Sequence, residues 1–304
     1  MRRKSSFLST AIVTICLLLS SCGNQPVQPI AKGTQFSFAF LTDIHLEPER
    51  HAIEGFRSAI EAVNSLNPEF VITGGDLVFD ALSVKEQRAD SLFNIYIECI
   101  RSLKMPFYNT MGNHDIFGAM RESGISPENP LYGTKMYEAK LGKKYYSFEH
   151  KGWKFFVLRS VQITPDRKYT GAIDSAQMVW IREELANTDK SVPLVIISHM
   201  PFITSISQMK EGSMAANPDG LVVKKSKQVL DLFKEHRLKL VLQGHLHYVE
   251  DIYSKGIHFI TGGAVCAKWW QGPLDGMNEG FMMISVTGEN ISWNYVEFGW
   301  KALK

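Results

Sequence analysis

Phe36-Ser37-Phe38-Ala39-Phe40-Leu41-Thr42-Asp43-Ile44-His45 is an apolar, β-rich run that ends in two metal-ligand side chains with one residue between them. The same arrangement recurs down the chain. Phe70 to Thr73 leads into Gly74-Gly75-Asp76, and Phe107 to Met111 into Gly112-Asn113-His114-Asp115. Val195 to Ile197 leads into Ser198-His199, and Leu238 to Leu242 into Gly244-His245-Leu246-His247. Each polar group sits where a buried strand would emerge. Short continuous apolar runs mark parallel strands covered on both faces, and ligands of such sheets gather outside the strands' carboxyl ends. The five segments are therefore expected to converge.

Carboxylates, neutral imidazoles and amide oxygens bind divalent ions at about 2.0–2.2 Å, and residues far apart in the chain supply that geometry only if the fold assembles them. Asp76, after two glycines that let the backbone come close, is the natural bridge. With one carboxylate oxygen to each of two ions it would set them about 3.5–4 Å apart around a shared hydroxide. Taken singly these residues say little: Asp43 could cap a helix, and Asn113 could be a turn asparagine beside Gly112. Only the ordered set points to metal. His51, His150, His236 and His258 fall outside it and are assigned nothing.

In this order the pattern D-x-H, G-D, G-N-H-[DE], H and G-H-x-H resembles that of the calcineurin-like metallophosphoesterase superfamily, from about Phe36 to the strands after His247. The resemblance implies an α/β fold, a four-layer α-β-β-α sandwich of two mixed sheets. It implies a first divalent ion on Asp43, His45, Asp76 and His247, and a second on Asp76, Asn113, His199 and His245. His114 would then be the unligated histidine that donates to the leaving group or a phosphoryl oxygen, and Asp115 would orient it, since a histidine needs a partner to fix its tautomer. The two ions would clamp the phosphoryl oxygens and activate a bridging water for in-line attack.

Gly171 through Leu185, with Gln177 and Trp180, agrees further with the family. Leu158-Arg159-Ser160 departs from it: many relatives, cyclic-nucleotide phosphodiesterases among them, carry Asp where this chain has Arg159. The ligand set suits Mn, Fe, Zn or Ni. The implied reaction is hydrolysis of a small-molecule phosphoester, phosphodiesters of cyclic-nucleotide or nucleotide-linked type first and phosphomonoesters second.

At the N-terminus Arg2, Arg3 and Lys4 precede an apolar stretch from Ala11 to Leu19 and then Ser20-Ser21-Cys22. The stretch is shorter than the roughly 20 apolar residues of a membrane span, and its layout is that of a secretory signal. The ending resembles a bacterial lipoprotein signal, in which Cys22 becomes the lipidated first residue. Residues 1–21 are thus expected to be removed, 22–34 to form a Pro-containing tether, and 35–304 to form one catalytic domain. Gly23 after the cysteine lacks the Asp of an inner-membrane retention signal, so the expected location is the cell envelope, preferably the outer membrane.

Loss of residues 1–21 takes three of the 33 basic residues and none of the 31 acidic ones, turning the formal +2 of the chain into about −1. A near-neutral domain offers no clustered basic face for a nucleic-acid polymer. Lys224-Lys225-Ser226-Lys227 reads as a solvated face. Cys16 goes with the signal and Cys22 is lipidated, leaving Cys99 and Cys266 as buried free thiols. A Ser-nucleophile hydrolase is disfavoured because no Gly-x-Ser-x-Gly elbow is present. A non-catalytic surface-binding lipoprotein would keep the whole ligand set to no chemical purpose.

Periodicity predicts strand 36–42, helix 50–65, strand 69–73, helix 83–104 and strand 106–111, the alternation of βαβ units. A hairpin follows over 144–149 and 153–159, then helix 175–187, strand 193–197, helix 226–236 and strand 238–242. The last strands, 248–253, 257–261, 280–286 and 290–297, are expected to make one antiparallel closing layer. Ile116 to Gly142 and Met200 to Val223 lack strong periodicity and start directly after proposed ligands, which makes them substrate-pocket candidates with Trp269-Trp270.

Overall fold

The computed structural model describes residues 34–302, so the signal, Cys22 and nearly all of the tether lie outside the described residues. The first half of the domain alternates as predicted. β1 (Gln35–Leu41), α1 (Ala52–Leu66), β2 (Phe70–Thr73), α2 (Glu86–Ile100) and β3 (Phe107–Tyr108) place three parallel strands side by side. On α1 the buried Phe56, Ala59, Ile60 and Val63 fall at helical spacing and face the sheet. The helix ends at Asn67, whose left-handed backbone returns its N–H to the Val63 carbonyl. β3 stops earlier than its apolar run suggests because the chain turns to side-chain partners, Thr110 N–H donating to Thr73 Oγ1 at 2.9 Å.

Next come α3 (Lys135–Leu141) and the hairpin of β4 (Tyr146–His150) and β5 (Trp153–Val157). The hairpin turns on Lys151 and Gly152, both at positive φ, as a tight two-residue connection requires. A small separate hairpin, β6 (Val161–Ile163) with β7 (Tyr169–Gly171), and α4 (Ser175–Ala186) lead to β8 (Pro193–Ser198). The chain continues through α5 (Ile206–Glu211), α6 (Ser226–Leu230), β9 (Arg237–Gln243), β10 (Glu250–Ser254), β11 (Ile257–Thr261), β12 (Gly280–Thr287) and β13 (Asn290–Glu297).

Two mixed sheets result, ordered β13-β12-β1-β2-β3 and β10-β11-β9-β8-β5-β4. The four late strands therefore do not form one closing layer, contrary to the sequence expectation. β10 and β11 extend the second sheet, with β11 parallel to β9, while β12 and β13 cross to the first, where β12 pairs antiparallel with β1 and β13 antiparallel with β12. Each central sheet has an open flank beside a ligand-bearing strand, and one hairpin satisfies the unpaired N–H and C=O groups of each.

Alternation along β1 explains the layering. Phe36, Phe38 and Phe40 point between the sheets, where they meet Phe70, Trp153, Phe155, Val195 and Leu240. Phe38 stacks on Phe70 at 4.9 Å and takes Phe155 edge-on at 5.8 Å. Ala39 and Leu41 belong instead to the outer core with Phe56 and Phe93 of the helices. On the second sheet Phe156 meets Trp180 of α4 at 6.0 Å. Helices thus cover the outer face of both sheets, and the four-layer sandwich forms as expected.

Candidate metal centre

β1, β2 and β3 of the first sheet and β8 and β9 of the second end on the same side of the sandwich, and the chain leaves them in tight turns. Asp43, His45, Asp76, His245 and His247 take left-handed backbone, with φ of 54°, 46°, 52°, 72° and 58°. Such conformations cost roughly 1–3 kcal/mol each and persist where the surroundings over-determine them. Here Asp43 N–H donates to the Gly75 carbonyl at 3.0 Å and His45 N–H to the Asp76 carbonyl at 2.9 Å. The turns are pressed together through glycine: a Cβ on Gly112 would lie 2.1 Å from Asp76 Oδ1, and one on Gly244 2.0 Å from Thr42 Oγ1.

The predicted ligands fall into two groups. In the first, His45 Nε2 lies 3.2 Å from His247 Nε2, 3.6 Å from Asp76 Oδ2 and 4.0 Å from Asp43 Oδ1. His247 Nε2 is 3.5 Å from Asp43 Oδ1. In the second, His199 Nε2 lies 2.9 Å from Asn113 Oδ1, 3.2 Å from His245 Nδ1 and 3.3 Å from Asp76 Oδ2. Asp43 Oδ2 accepts the Thr42 hydroxyl at 2.6 Å, the His245 N–H is shared between Oδ2 at 2.9 Å and Oδ1 at 3.1 Å, and Oδ1 is the oxygen that faces the imidazoles.

Asp76 joins the two groups in a way the sequence reading did not foresee. A single oxygen, Oδ2, faces both groups, while Oδ1 accepts the His114 backbone N–H at 2.8 Å. A side chain at position 112 would collide with Oδ1, so the glycine is what lets the two turns meet.

Tautomers decide what these atoms can do. His199 Nδ1 meets the Gly74 carbonyl at 2.9 Å, His245 Nε2 the Gly220 carbonyl at 3.0 Å, and His247 Nδ1 the Ala267 carbonyl at 2.7 Å. A carbonyl only accepts, so each of these ring nitrogens carries the proton and the opposite nitrogen turns a bare lone pair inward. Lone pairs, a carboxylate oxygen and an amide oxygen within 2.9–3.6 Å repel one another unless a cation sits among them. The donor set fits divalent metal.

Charge within the cluster is consistent with this. Burial would raise Asp43, but His247 and His199 outweigh it and hold the carboxyl at about 2. Burial would likewise depress His199, yet Asp76 and Asp43 raise it to about 9, so a proton can take the place of a cation. His45 and His245 are lowered to about 3 and about 4, chiefly by burial, and stay neutral.

His114 stands beside the ligands, its ring edge-on to His45 at 4.7 Å. One donor each from His45, Asp76 and His114 lies within 4.8 Å, so proximity alone does not separate His114 from the ligands. Asp115 does not orient it. Asp115 Oδ1 accepts the Leu77 and Val78 N–H groups at 2.9 and 3.2 Å and Oδ2 that of Gly112 at 2.8 Å, whereas His114 Nδ1 has no partner among the described residues. Turned inward from its loop, the carboxylate ties the Asp76 and Asn113 turns together.

Cys266 is a neighbour that sequence reasoning missed: its Sγ lies within 4.8 Å of donor atoms of His45 and His247. It is a buried free thiol, as is Cys99, and burial pushes it well above the ordinary thiol range. No spacing signal could have placed it. The tryptophan pair divides. Trp270 is buried and donates Nε1–H to the Ile44 and His45 carbonyls at 3.0 and 3.2 Å, while Trp269 is 36% exposed. Arg159 is structural. Its guanidinium pairs with Asp174, the N-cap of α4, and its backbone N–H and C=O both bond the Gln177 amide. Lys224 and Lys227 pair with Asp219 and Asp231.

A two-sheet sandwich with this donor set where both sheets end is the architecture of metallophosphoesterases. The calcineurin-like phosphoesterase family pattern matches residues 36–249, and the chain belongs to that metal-dependent family. Among curated proteins it is similar to a probable cyclic nucleotide phosphodiesterase of Xenorhabdus bovienii, 22% identical over 244 residues, 76% of this chain and 87% of that one. A second, from Psychrobacter arcticus, is 22% identical over 241 residues, 75% of this chain and 80% of the other.

Among solved structures the fold is similar to a dimetal phosphatase from Danio rerio, with TM-score 0.57 and 14% identity over 90% of this chain and 100% of that one. It is also similar to GAP50, the anchor in the inner membrane complex of Plasmodium, with TM-score 0.51 and 15% identity over 89% and 87%. Those two likenesses concern fold alone.

Proposed function

We propose that the protein is a dinuclear metal-dependent phosphodiesterase acting on cyclic-nucleotide or nucleotide-linked diesters. The observation that carries this reading is the pair of inward-facing donor groups sharing one oxygen of Asp76. Asp43, His45, Asp76 and His247 would hold one ion, and Asp76, Asn113, His199 and His245 the other. When bound, such a pair neutralises phosphoryl charge and lowers the pKa of water toward neutrality. The Gly74, Gly220 and Ala267 carbonyls keep three ligand imidazoles in the tautomer that binding needs. His114, half-buried at the edge of the cluster, delivers a proton to the departing oxygen. The curated relatives named as probable cyclic nucleotide phosphodiesterases favour the diester.

Chelated protein reloaded with Mn, Fe or Zn and assayed on a panel of phosphodiesters and monoesters tests the reading. Diester turnover should return with two ions bound. Preference for monoesters would make the protein a phosphomonoesterase on the same site, and absence of metal-dependent turnover would leave a binding protein. We also propose that the mature chain is anchored in the bacterial envelope through lipidated Cys22, on the strength of residues 2–22. Cys22→Ser should release it from membranes, and a variant that still fractionates with them would exclude that anchor.

A further inference from the structure

Trp269 occupies a position the fold does not require. Its backbone is left-handed at φ 47°, between Ala267 at 43° and Trp270 at 62°, a conformation that bulky residues avoid. Trp270 repays its own strain by burying its ring and donating Nε1–H to two carbonyls. The Trp269 side chain makes no hydrogen bond among the described residues, and the residue remains 36% exposed. It rests on the candidate ligands instead, 5.0 Å from the His247 ring and 6.2 Å from the His45 ring. Phe79, half-buried, meets the same His45 ring edge-on at 6.3 Å.

Arg50 links the two aromatics. Its guanidinium lies 5.0 Å above the Phe79 ring, and Nη1 donates to the Trp269 carbonyl at 3.4 Å and pairs with the buried Glu47 at 3.3 Å. Those partners take a minority of its five N–H donors and leave the rest for a ligand.

We propose that Trp269, Phe79 and Arg50 form the subsite for the nucleobase of the substrate, with the base lying on the Trp269 indole and its carbonyl oxygens facing Arg50. The inference rests on the phosphodiesterase reading and adds which part of the diester is recognised. Trp269 packs against the rings of His45 and His247, two of the residues around which a phosphoryl group would be seated. A flat π-face beside a cation is suited to a planar, carbonyl-bearing heteroaromatic ring. A rival seat lies beside His245, in a cleft of about 350 Å³ lined by Met120, Tyr169, Pro218 and Leu221.

Two esters with one leaving group separate these cases: thymidine 5′-(4-nitrophenyl phosphate) and methyl 4-nitrophenyl phosphate. In Mn-loaded Trp269→Ala, kcat/KM for the nucleoside ester should fall about 5- to 150-fold further than for the methyl ester, the range for loss of one base–aromatic stack. The difference should lie in KM, and Trp269→Phe should recover most of it. Calorimetric binding of thymidine 5′-monophosphate should weaken by the same factor. Equal losses on both esters, or an effect found in Tyr169→Ala and absent from Trp269→Ala, would overturn the subsite. If wild type hydrolyses neither diester, the phosphodiesterase reading falls, and the thymidine monophosphate titration decides the subsite by the same comparison.

Discussion

Asp115 and His114 are adjacent in the chain and face opposite ways, and their variants should fail differently. Asp115→Ala leaves three buried N–H groups, those of Leu77, Val78 and Gly112, without a partner. Each should cost about 1–3 kcal/mol in urea unfolding, with Asp115→Asn intermediate; a defect limited to poor leaving groups would restore the orienting role. His114→Ala should keep its metal and slow turnover by roughly 10²–10⁴, less for nitrophenolate esters that need little protonation. Loss of an ion in that variant would make His114 a ligand. The ligands themselves were legible because each residue type recurs at the end of an apolar run. The direction in which Asp115 points, the single Asp76 oxygen that faces both donor groups and the nearness of Cys266 depend on packing between distant turns, which no local pattern records.

At the scale of elements, α4 is fastened to the segment between β5 and β6 by Gln177, whose amide accepts the Arg159 N–H at 2.9 Å and donates to its carbonyl at 2.8 Å. Gln177→Leu should therefore destabilise by about 1–3 kcal/mol for each backbone group left unpaired, with Arg159→Lys nearer neutral because the bonds are to its main chain. Denaturant midpoints of the two variants check this, and equal losses would put the fastening in the guanidinium–Asp174 pair. Long periodic helices and apolar strands were readable from sequence. The short α3, α5, β6 and β7 were not, since three to seven residues hold their shape through contacts made elsewhere. The late strands were readable as strands, but period-2 alternation does not say which sheet receives them.

For the whole molecule the division of donors between layers matters most. Asp43, His45, Asp76 and Asn113 leave the first sheet, and His199, His245 and His247 leave the second. Each bound ion should raise stability by about 2.7 kcal/mol at a hundredfold excess over its Kd. Because each donor group draws on both sheets, metal should slow unfolding and leave the refolding rate nearly unchanged. Stopped-flow traces with and without chelator measure this, and faster refolding in metal would show a site formed early.

The same division sets an order of assembly. A nascent chain that has emerged only as far as β3 and the turn after it owns the carboxylates but lacks three of the four strand-end imidazoles that complete the two groups. Any metal held by both groups would then be admitted last, after the two layers have docked, and would latch a finished scaffold without seeding it.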